Sequence, residues 1–284
     1  MSALEVVATG PSALVQDAGR PGLAGMGVGR SGAADRRSFR LVNRILANDE
    51  DAAVLEVVLG GLEVVVHGTV TIAVTGADLD VLVDGSRVGT NTPVTVRDGQ
   101  RLSLGWARSG LRAYLGVRGG IAVVPVLGSR STDTLAGLGP DPVEDGSTLP
   151  VGPSPRVLPP LDVAPVAPPA SGEVVLRAAR GPRDDWLASA DRLVTTAWTA
   201  SERSDRIGMR LEGEALVPRD SDAQLPSEGA VRGAIQVPPG GEPVIFLADH
   251  PLTGGYPVAA VLLDDDVDRA AQVRPGQPVR IVWV

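Results

Sequence analysis

The chain has 284 residues, with 34 acidic side chains against 26 basic ones, all arginine, and neither lysine nor cysteine. This composition removes a lysine Schiff base, a phosphate-loop lysine, a biotinylated lysine and a cysteine nucleophile, and with His67 and His250 as its only histidines it argues against a His/Cys metal site. The net charge of −8, with arginines interleaved among acids along the sequence, argues against a nucleic-acid surface.

The opening residues, MSALEVVATGPSALVQDAGR, lack the charged start and apolar run of a signal peptide. No stretch reaches the ~18 apolar residues of a membrane span, so a soluble, cytoplasmic protein is expected. The 35 glycines and 24 prolines imply many turns and a mainly β fold with a few short helices. In QDAGRPG (16–22), Gln16, Asp17 and Arg20 stand close together before a Pro-Gly turn. Such a loop either orients an anion through the arginine fork or locks itself with an internal Asp–Arg pair. GVGRSG (27–32) matches G-x-G-x-x-G but no strand precedes it, which argues against a dinucleotide site. What remains is a loop before a helix, able to hold an anion on backbone amides beside Arg20 and Arg30.

An apolar stripe of Ala34, Leu41, Val42, Ile45 and Leu46 predicts a helix from Ala33 to Ala47, with Ser31 as N-cap and Asn48 as a left-handed stop. Strands are expected at Leu62–Val66, Val70–Val74, Leu79–Val83, Leu111–Val117, Glu173–Ala178, Pro243–Ala248 and Val279–Val284. GSRST (128–132) sets Arg130 between Ser129 and Ser131, suited either to an oxyanion or to a capped turn. The segment 150–171 is proline-rich, which disfavours helix and inner strand. It reads as a linker (151–171) between an N-terminal domain (1–150) and a C-terminal domain (172–284). A second helix is expected from Pro182 to Ala197 and a short third one from Asp264 to Gln272. SDRIGMRLEG (204–213) offers Asp205 and Arg206, for a ligand or for each other. ADHPLTGGYP (248–257) reads as a site wall, with Asp249, His250 as a base or a structural donor, a Gly254-Gly255 pair allowing close backbone approach, and the Tyr256 hydroxyl. VRDGQ (96–100) and VRPGQ (273–277) each precede a strand-like run, which either marks a matching hairpin in two barrels or repeats a common turn.

Taken in order, these motifs, with SGAAD (31–35), Asn43, Asn48, LEVVLGG (55–61), TGAD (75–78), SGLRAYLGVRGG (109–120), LGSRST (127–132), SEG (227–229) and GAIQVPPGGEPV (233–244), resemble the family of 5-oxoprolinase C subunits, also called KipA or allophanate hydrolase subunit 2-like and often described as biotin-dependent carboxyltransferase. The resemblance spans nearly the whole chain outside the linker. It implies two cyclophilin-like β-barrel domains in tandem. It also implies a hetero-oligomer with a KipI-like B subunit, together with a LamB/YcsF-like A subunit; on the charge and the lack of an apolar span, no binding to nucleic acid or membrane is expected. The activity it implies is ATP-dependent opening of the 5-oxoproline lactam to glutamate. A regulatory protein that binds a KipI-like kinase inhibitor, or a subunit of the carboxyltransferase or allophanate hydrolase type, is the alternative. Two positions depart from the family pattern: Asp133 where tyrosine is usual after LGSRST, and Leu252 in place of a threonine.

For such chemistry, residue type points to Arg20, Arg130 and Arg206, with Ser31 and Ser131, as anion contacts, and to Asp17, Asp205 and Asp249 as bases or Mg²⁺ contacts. Gln16, Gln236 and Tyr256 would orient the substrate against the Gly254-Gly255 backbone. ATP is the expected cosubstrate, no metal-ligand cluster is expected, and no biotin can be carried on this chain.

Overall fold

In a computed structural model, residues 2–154, 157, 162–220 and 223–284 are described; positions 155, 156 and 158–161 of the expected linker lie outside them. The chain folds as two compact units. The first comprises Met1–Arg20, Asp35–Asp133 and Gly137–Pro169; the second comprises Pro21–Ala34, Thr134–Ala136 and Ala170–Val284.

The first unit contains β1 (Ala3–Ala8), β2 (Ser12–Gln16), α1 (Arg36–Ile45), β3 (Val54–Val58), β4 (Glu63–His67), β5 (Val70–Asp78), β6 (Val81–Val83), β7 (Ser86–Val88), β8 (Val94–Val96), β9 (Arg101–Leu104), β10 (Ser109–Val117) and β11 (Thr148–Pro150). They form a six-stranded sheet, β11-β1-β4-β9-β6-β7, and a five-stranded sheet, β2-β3-β10-β5-β8. Alternation decides which way a strand faces: in β4 Val64 and Val66 are buried while Glu63 and His67 are not. Central β10 is buried almost throughout, because β3 and β5 flank it and α1 packs on β10 and β5. Leu4, Leu55, Val57, Ile72, Leu102 and Leu115 are fully enclosed in this core, each stabilising by roughly 1.5–3 kcal/mol relative to exposure.

The second unit contains β12 (Val174–Arg180), α2 (Arg192–Thr195), β13 (Trp198–Ala200), β14 (Gly208–Glu212), β15 (Glu228–Gly229), β16 (Ala234–Gln236), β17 (Val244–Phe246), β18 (Thr253–Gly254), β19 (Val258–Leu262), α3 (Asp264–Ala270) and β20 (Pro278–Trp283). Seven of its strands close into a barrel, β12-β19-β16-β17-β14-β13-β20. The seam is the parallel pairing of β12 with β20, from Val174 opposite Val279 to Ala178 opposite Trp283. The expectation of a closed barrel on both sides of the linker is therefore met by the second unit; the strands of the first are ordered in two open sheets.

Three local expectations change. Helix α1 begins at Arg36, capped by Asp35, whose carboxylate accepts from the Ser38 N–H at 2.9 Å and the Ser38 hydroxyl at 2.6 Å. Ser31 is not its cap. The helix ends because Ala47 turns left-handed at φ 53°, one residue before the expected stop. Asn48 instead bonds the Val117 carbonyl at 2.9 Å and the Gly119 N–H at 2.9 Å. The long helix expected over 182–197 is a 3₁₀ turn at Asp184–Trp186 and the single α turn of α2. Leu187 takes an extended conformation and bridges to Pro218, which breaks the helical register.

The two repeated pentapeptides make the same turn. In each, the Gln N–H donates to the Arg carbonyl, at 3.1 Å (Gln100 to Arg97) and 3.0 Å (Gln277 to Arg274), and the Gln Oε1 accepts from the Arg N–H, at 2.8 and 3.0 Å. Gly99 and Gly276 hold the left-handed third position at φ 77° and 78° that a type II turn requires. Each turn feeds a strand, β9 and β20 respectively. Among the described residues no helix is long and apolar enough to cross a membrane.

Candidate functional site

In the first unit the loop after β2 is stitched to the GSRST loop through one carboxylate. Asp17 Oδ1 accepts from the Gly19 N–H at 2.7 Å, the Ser129 hydroxyl at 2.6 Å and the Ser131 hydroxyl at 2.5 Å; Oδ2 accepts from the Arg130 N–H at 2.5 Å. The Ser131 hydroxyl in turn accepts from the Asp17 N–H at 3.0 Å. These bonds exist because both loops leave the sheets and their buried polar groups find few backbone partners. Gln16 donates to the Thr132 carbonyl at 2.8 Å and Arg20 Nη2 to the Ser131 carbonyl at 2.5 Å, while Arg20 Nη1 stands 3.8 Å from Asp133. Gln16, Asp17, Arg20, Ser131 and Asp133 are all buried. Gly139 is required beside them: at φ 96°, a Cβ there would lie 2.0 Å from the Ser131 carbonyl oxygen. Arg130 is only half-buried. Its Nε donates to the Val123 carbonyl at 2.8 Å, which fixes the plane of the guanidinium.

In the second unit a carboxylate plays the same part. Arg206 grips Asp249 with both prongs, Nε to Oδ2 at 3.0 Å and Nη2 to Oδ1 at 3.1 Å. The Ser31 hydroxyl donates to Oδ1 at 2.6 Å, and Thr134 donates to Oδ2 from its N–H at 2.9 Å and its hydroxyl at 2.7 Å. Arg206 Nη2 also reaches the Gly32 carbonyl at 2.6 Å. Ser31 holds a left-handed backbone at φ 54°, uncommon for a residue with a Cβ, and its hydroxyl is what that conformation delivers. Burial is the largest influence on the Asp249 carboxyl and pushes its pKa up. The Arg206 charge and hydrogen bond, the Ser31 hydroxyl and the Thr134 amide together outweigh it and hold the group below the usual carboxylate value.

Asp205 caps its own turn, Oδ1 accepting from the Ile207 and Gly208 N–H groups at 2.8 and 3.0 Å. Downstream, the His250 ring stacks on Phe246 with centroids 6.0 Å apart. Its Nδ1 lies 2.8 Å from the Pro251 carbonyl, which can only accept, so Nδ1 carries the proton. Gln236 donates to the Tyr256 carbonyl at 3.1 Å, leaving the Tyr256 side chain exposed. A Cβ on Gly254 would meet the Gln236 amide nitrogen at 2.6 Å, so that glycine makes room for Gln236; Gly255 is less confined, with the Leu225 carbonyl 3.5 Å from its Cβ position.

The anion-contact candidates thus divide. Arg20 and Arg206 are internal, each facing a carboxylate of its own unit, whereas Arg130 is only partly buried. Every carboxylate oxygen of Asp17 and Asp249 already receives at least one N–H or O–H donor, an arrangement that does not fit Mg²⁺. Among the described residues no group of three or more histidines and acids is placed to hold a metal ion.

Sequence reasoning missed Thr134, whose neighbours carry no pattern, and a buried network in the first unit. There the Tyr114 hydroxyl donates to Glu56 at 2.8 Å and accepts from the Asp35 N–H at 2.7 Å, and Arg112 faces Glu56 at 3.5 Å. Glu56, Arg112 and Tyr114 all stand in the motifs LEVVLGG and SGLRAYLGVRGG, so their polar character inside apolar strands was the available signal.

Two β units with buried carboxylate clamps, rather than a nucleotide-binding α/β sheet, are the class these features define, and comparison with known proteins agrees. The sequence profile of the carboxyltransferase domain, subdomains A and B, matches residues 26–283. The C subunit of 5-oxoprolinase from Escherichia coli K12 is 36% identical over 98% of this chain and 90% of its own length. The corresponding C subunit of Haemophilus influenzae is 32% identical over 94% of this chain and 87% of its own. The crystal structure of the Kluyveromyces lactis urea amidolyase superposes with a TM-score of 0.92 at 30% identity over 99% of this chain, which spans 19% of that larger protein. The chain belongs to the carboxyltransferase-domain family and, within it, to the family of 5-oxoprolinase C subunits.

Proposed function

We propose that the chain is the C subunit of an ATP-dependent 5-oxoprolinase, a cytoplasmic hydrolase that works with a KipI-like B subunit, together with a LamB/YcsF-like A subunit. The observation that carries this reading is the 36% identity shared over 98% of this chain and 90% of the Escherichia coli protein.

The lactam carbonyl is a weak electrophile. In the proposed reaction its oxygen takes the terminal phosphoryl group of ATP and ADP leaves. One water then adds at the ring carbon, and the C–N bond breaks with the nitrogen taking a proton. A second water hydrolyses the resulting acyl phosphate to glutamate and phosphate. Such a path needs a cation with accessible donors for a phosphate or carboxylate, and a base or hydrogen-bonding group near water. In this reading Arg130 is that cation in the first unit, with Gln16, Asp17, Arg20 and Ser131 positioning its loop. In the second unit Asp249, clamped by Arg206 and Ser31, fixes the segment that presents His250, Gly254, Gly255 and Tyr256, with Gln236 supporting Tyr256 from below. Asp17, Asp205 and Asp249 are positioning residues in this reading.

The test is release of glutamate from 5-oxoproline and ATP. The chain alone should give none, and the three-subunit mixture should give turnover that Arg130→Ala abolishes without preventing assembly. A folded, assembled mixture without turnover would refute the reading. A second reading, carboxyl transfer, is favoured by the similarity to urea amidolyase. With no lysine, this chain would receive the carboxyl group from a biotin carrier on another chain, and bicarbonate label passing through such a carrier would select that reading.

A further inference from the structure

Helix α1 has an outward face that the proposed chemistry does not use. At 100° per residue, Arg36, Arg37, Arg40 and Arg44 fall within about one third of the helix circumference. Phe39, Val42, Asn43 and Ile45 are buried on the other side. Arg37, Arg40 and Arg44 are exposed.

The helix itself contains no acid. Two of its arginines sit in the first turn, where the helix dipole favours negative charge, and Arg36–Arg40 and Arg40–Arg44 are like-charge pairs four residues apart. Only Arg44, in the last turn, suits the helix dipole. Elsewhere on the protein many exposed arginines reach a carboxylate, among them Arg87, Arg101, Arg108, Arg180, Arg192 and Arg280, while Arg97, Arg210 and Arg219, scattered singly, have no ion pair among the described residues. The side chains of Arg40 and Arg44 make no hydrogen bond or ion pair among the described residues. Positive charge left uncompensated at these two positions, on a chain of net charge −8, is a local complement for a negative surface.

We propose that this face of α1 docks an acidic segment of a partner protein, with carboxylates spaced one helical turn apart to meet Arg40 and Arg44. The two positions lie about 6 Å apart along the helix axis, four residues at 1.5 Å each, which suits a short segment. Nucleic acid is the weaker match, because an extended row of phosphates meets the net negative charge of the whole chain beyond the helix.

The test uses the full-length chain and a fluorescent helical peptide with glutamate at every fourth position. Wild type binds it, and binding weakens steeply between about 50 and 300 mM salt as screening shortens. The double variant Arg40→Glu, Arg44→Glu binds about tenfold more weakly or worse. Arg210→Glu, at an exposed arginine with no ion pair among the described residues, leaves binding unchanged, and both variants keep the wild-type melting temperature. No binding by wild type, or equal binding by the double variant, overturns the proposal. So does a single-stranded oligonucleotide that binds more tightly than the peptide and loses its affinity in the same variant. A second arm adds the KipI-like and LamB/YcsF-like subunits. Assembly weakened by the double variant places one of them on α1, and assembly unchanged by it overturns the proposal. Failure of wild type to assemble at all counts against the oxoprolinase reading, while the peptide measurement still decides this one.

Discussion

Replacing Asp249 by asparagine tests whether the Arg206 clamp holds the second unit together. Whichever way the new amide turns, its NH₂ group replaces an oxygen that now receives donors. It faces either the Thr134 N–H and hydroxyl with Arg206 Nε–H, or the Ser31 hydroxyl with Arg206 Nη2–H. Donor meets donor, and the Arg206 charge, with 6% of its side chain exposed, loses its counterion. Breaking a buried pair in this way costs about 3–5 kcal/mol. That corresponds to a fall in melting temperature of about 10–20 °C for a unit of this size. Trp186, Trp198 and Trp283 lie in the second unit and Trp106, largely exposed, in the first, so tryptophan fluorescence during urea or thermal unfolding of a Trp106→Phe background reports the second unit.

Two controls make the test decisive. Arg206→Leu alone should be comparably damaging, since it strands the carboxylate. Arg206→Leu with Asp249→Leu should recover about 2 kcal/mol relative to the sum of the single changes, because neither charge is then stranded. The pH dependence has a fixed sign. The folded pKa of Asp249 lies below its ordinary 3.8, so the clamp contributes fully above that value and is lost as pH falls through the folded pKa. The gap between wild type and Asp249→Asn should accordingly narrow on acidification below pH 4. Additive single effects, or an asparagine variant within about 1 kcal/mol of wild type at pH 7, would refute the clamp.

In the first unit, Gly139→Ala should destabilise by about 2 kcal/mol or more, since a Cβ at φ 96° would sit 2.0 Å from the Ser131 carbonyl oxygen; an unchanged urea midpoint would show that the GSRST loop is not rigid. Tyr114→Phe strands the Asp35 N–H and one oxygen of Glu56 inside the protein, with an expected cost of about 1–3 kcal/mol by chemical denaturation. Burial, reinforced by the nearby Glu56 and Asp35 charges, pushes the Tyr114 hydroxyl well above its usual pKa of 10.0, so Tyr114 should contribute no phenolate absorbance at pH 10 until the protein unfolds. Gln100→Ala and Gln277→Ala each remove a side-chain bond to an arginine N–H; Gln100→Ala should cost about 1 kcal/mol and Gln277→Ala more, because the buried Gln277 amide also donates to the Ala170 and Gly172 carbonyls at 2.9 and 2.7 Å, both measured as shifts in melting temperature.

What the sequence disclosed follows from the range of the forces involved. Strand positions were legible because alternation and apolar runs are local, and β4, β10, β12 and β20 lie close to where those patterns put them. The repeated Arg-x-Gly-Gln turn was legible for the same reason, since all its bonds fall within four residues. Closure was not, because whether a set of strands forms a barrel or two sheets depends on pairings between distant segments, such as β12 with β20. The helix expected over 182–197 failed on a long-range contact as well, the bridge from Leu187 to Pro218. Motif segments were visible as motifs, yet their internal wiring was not: nothing near Thr134 announces that it serves Asp249, 115 residues away.

The two clamps bear on where chemistry can reside. A carboxylate that already receives four or five donors is a poor base, because protonating it would cost several of those bonds at once, and the lowered pKa of Asp249 expresses that cost. The same saturation makes Asp17 and Asp249 effective at holding loops, since each ties together segments more than 100 residues apart in sequence. In the proposed function, reactive capacity then falls to the groups those loops carry, the Arg130 fork in the first unit and the His250–Tyr256 segment in the second. On this division of labour, Arg130→Ala should lose turnover with little loss of stability, whereas Asp17→Asn should lose stability first and turnover only as a consequence. An Asp17→Asn protein that stays as stable as wild type while losing turnover would place the chemistry on the carboxylate after all.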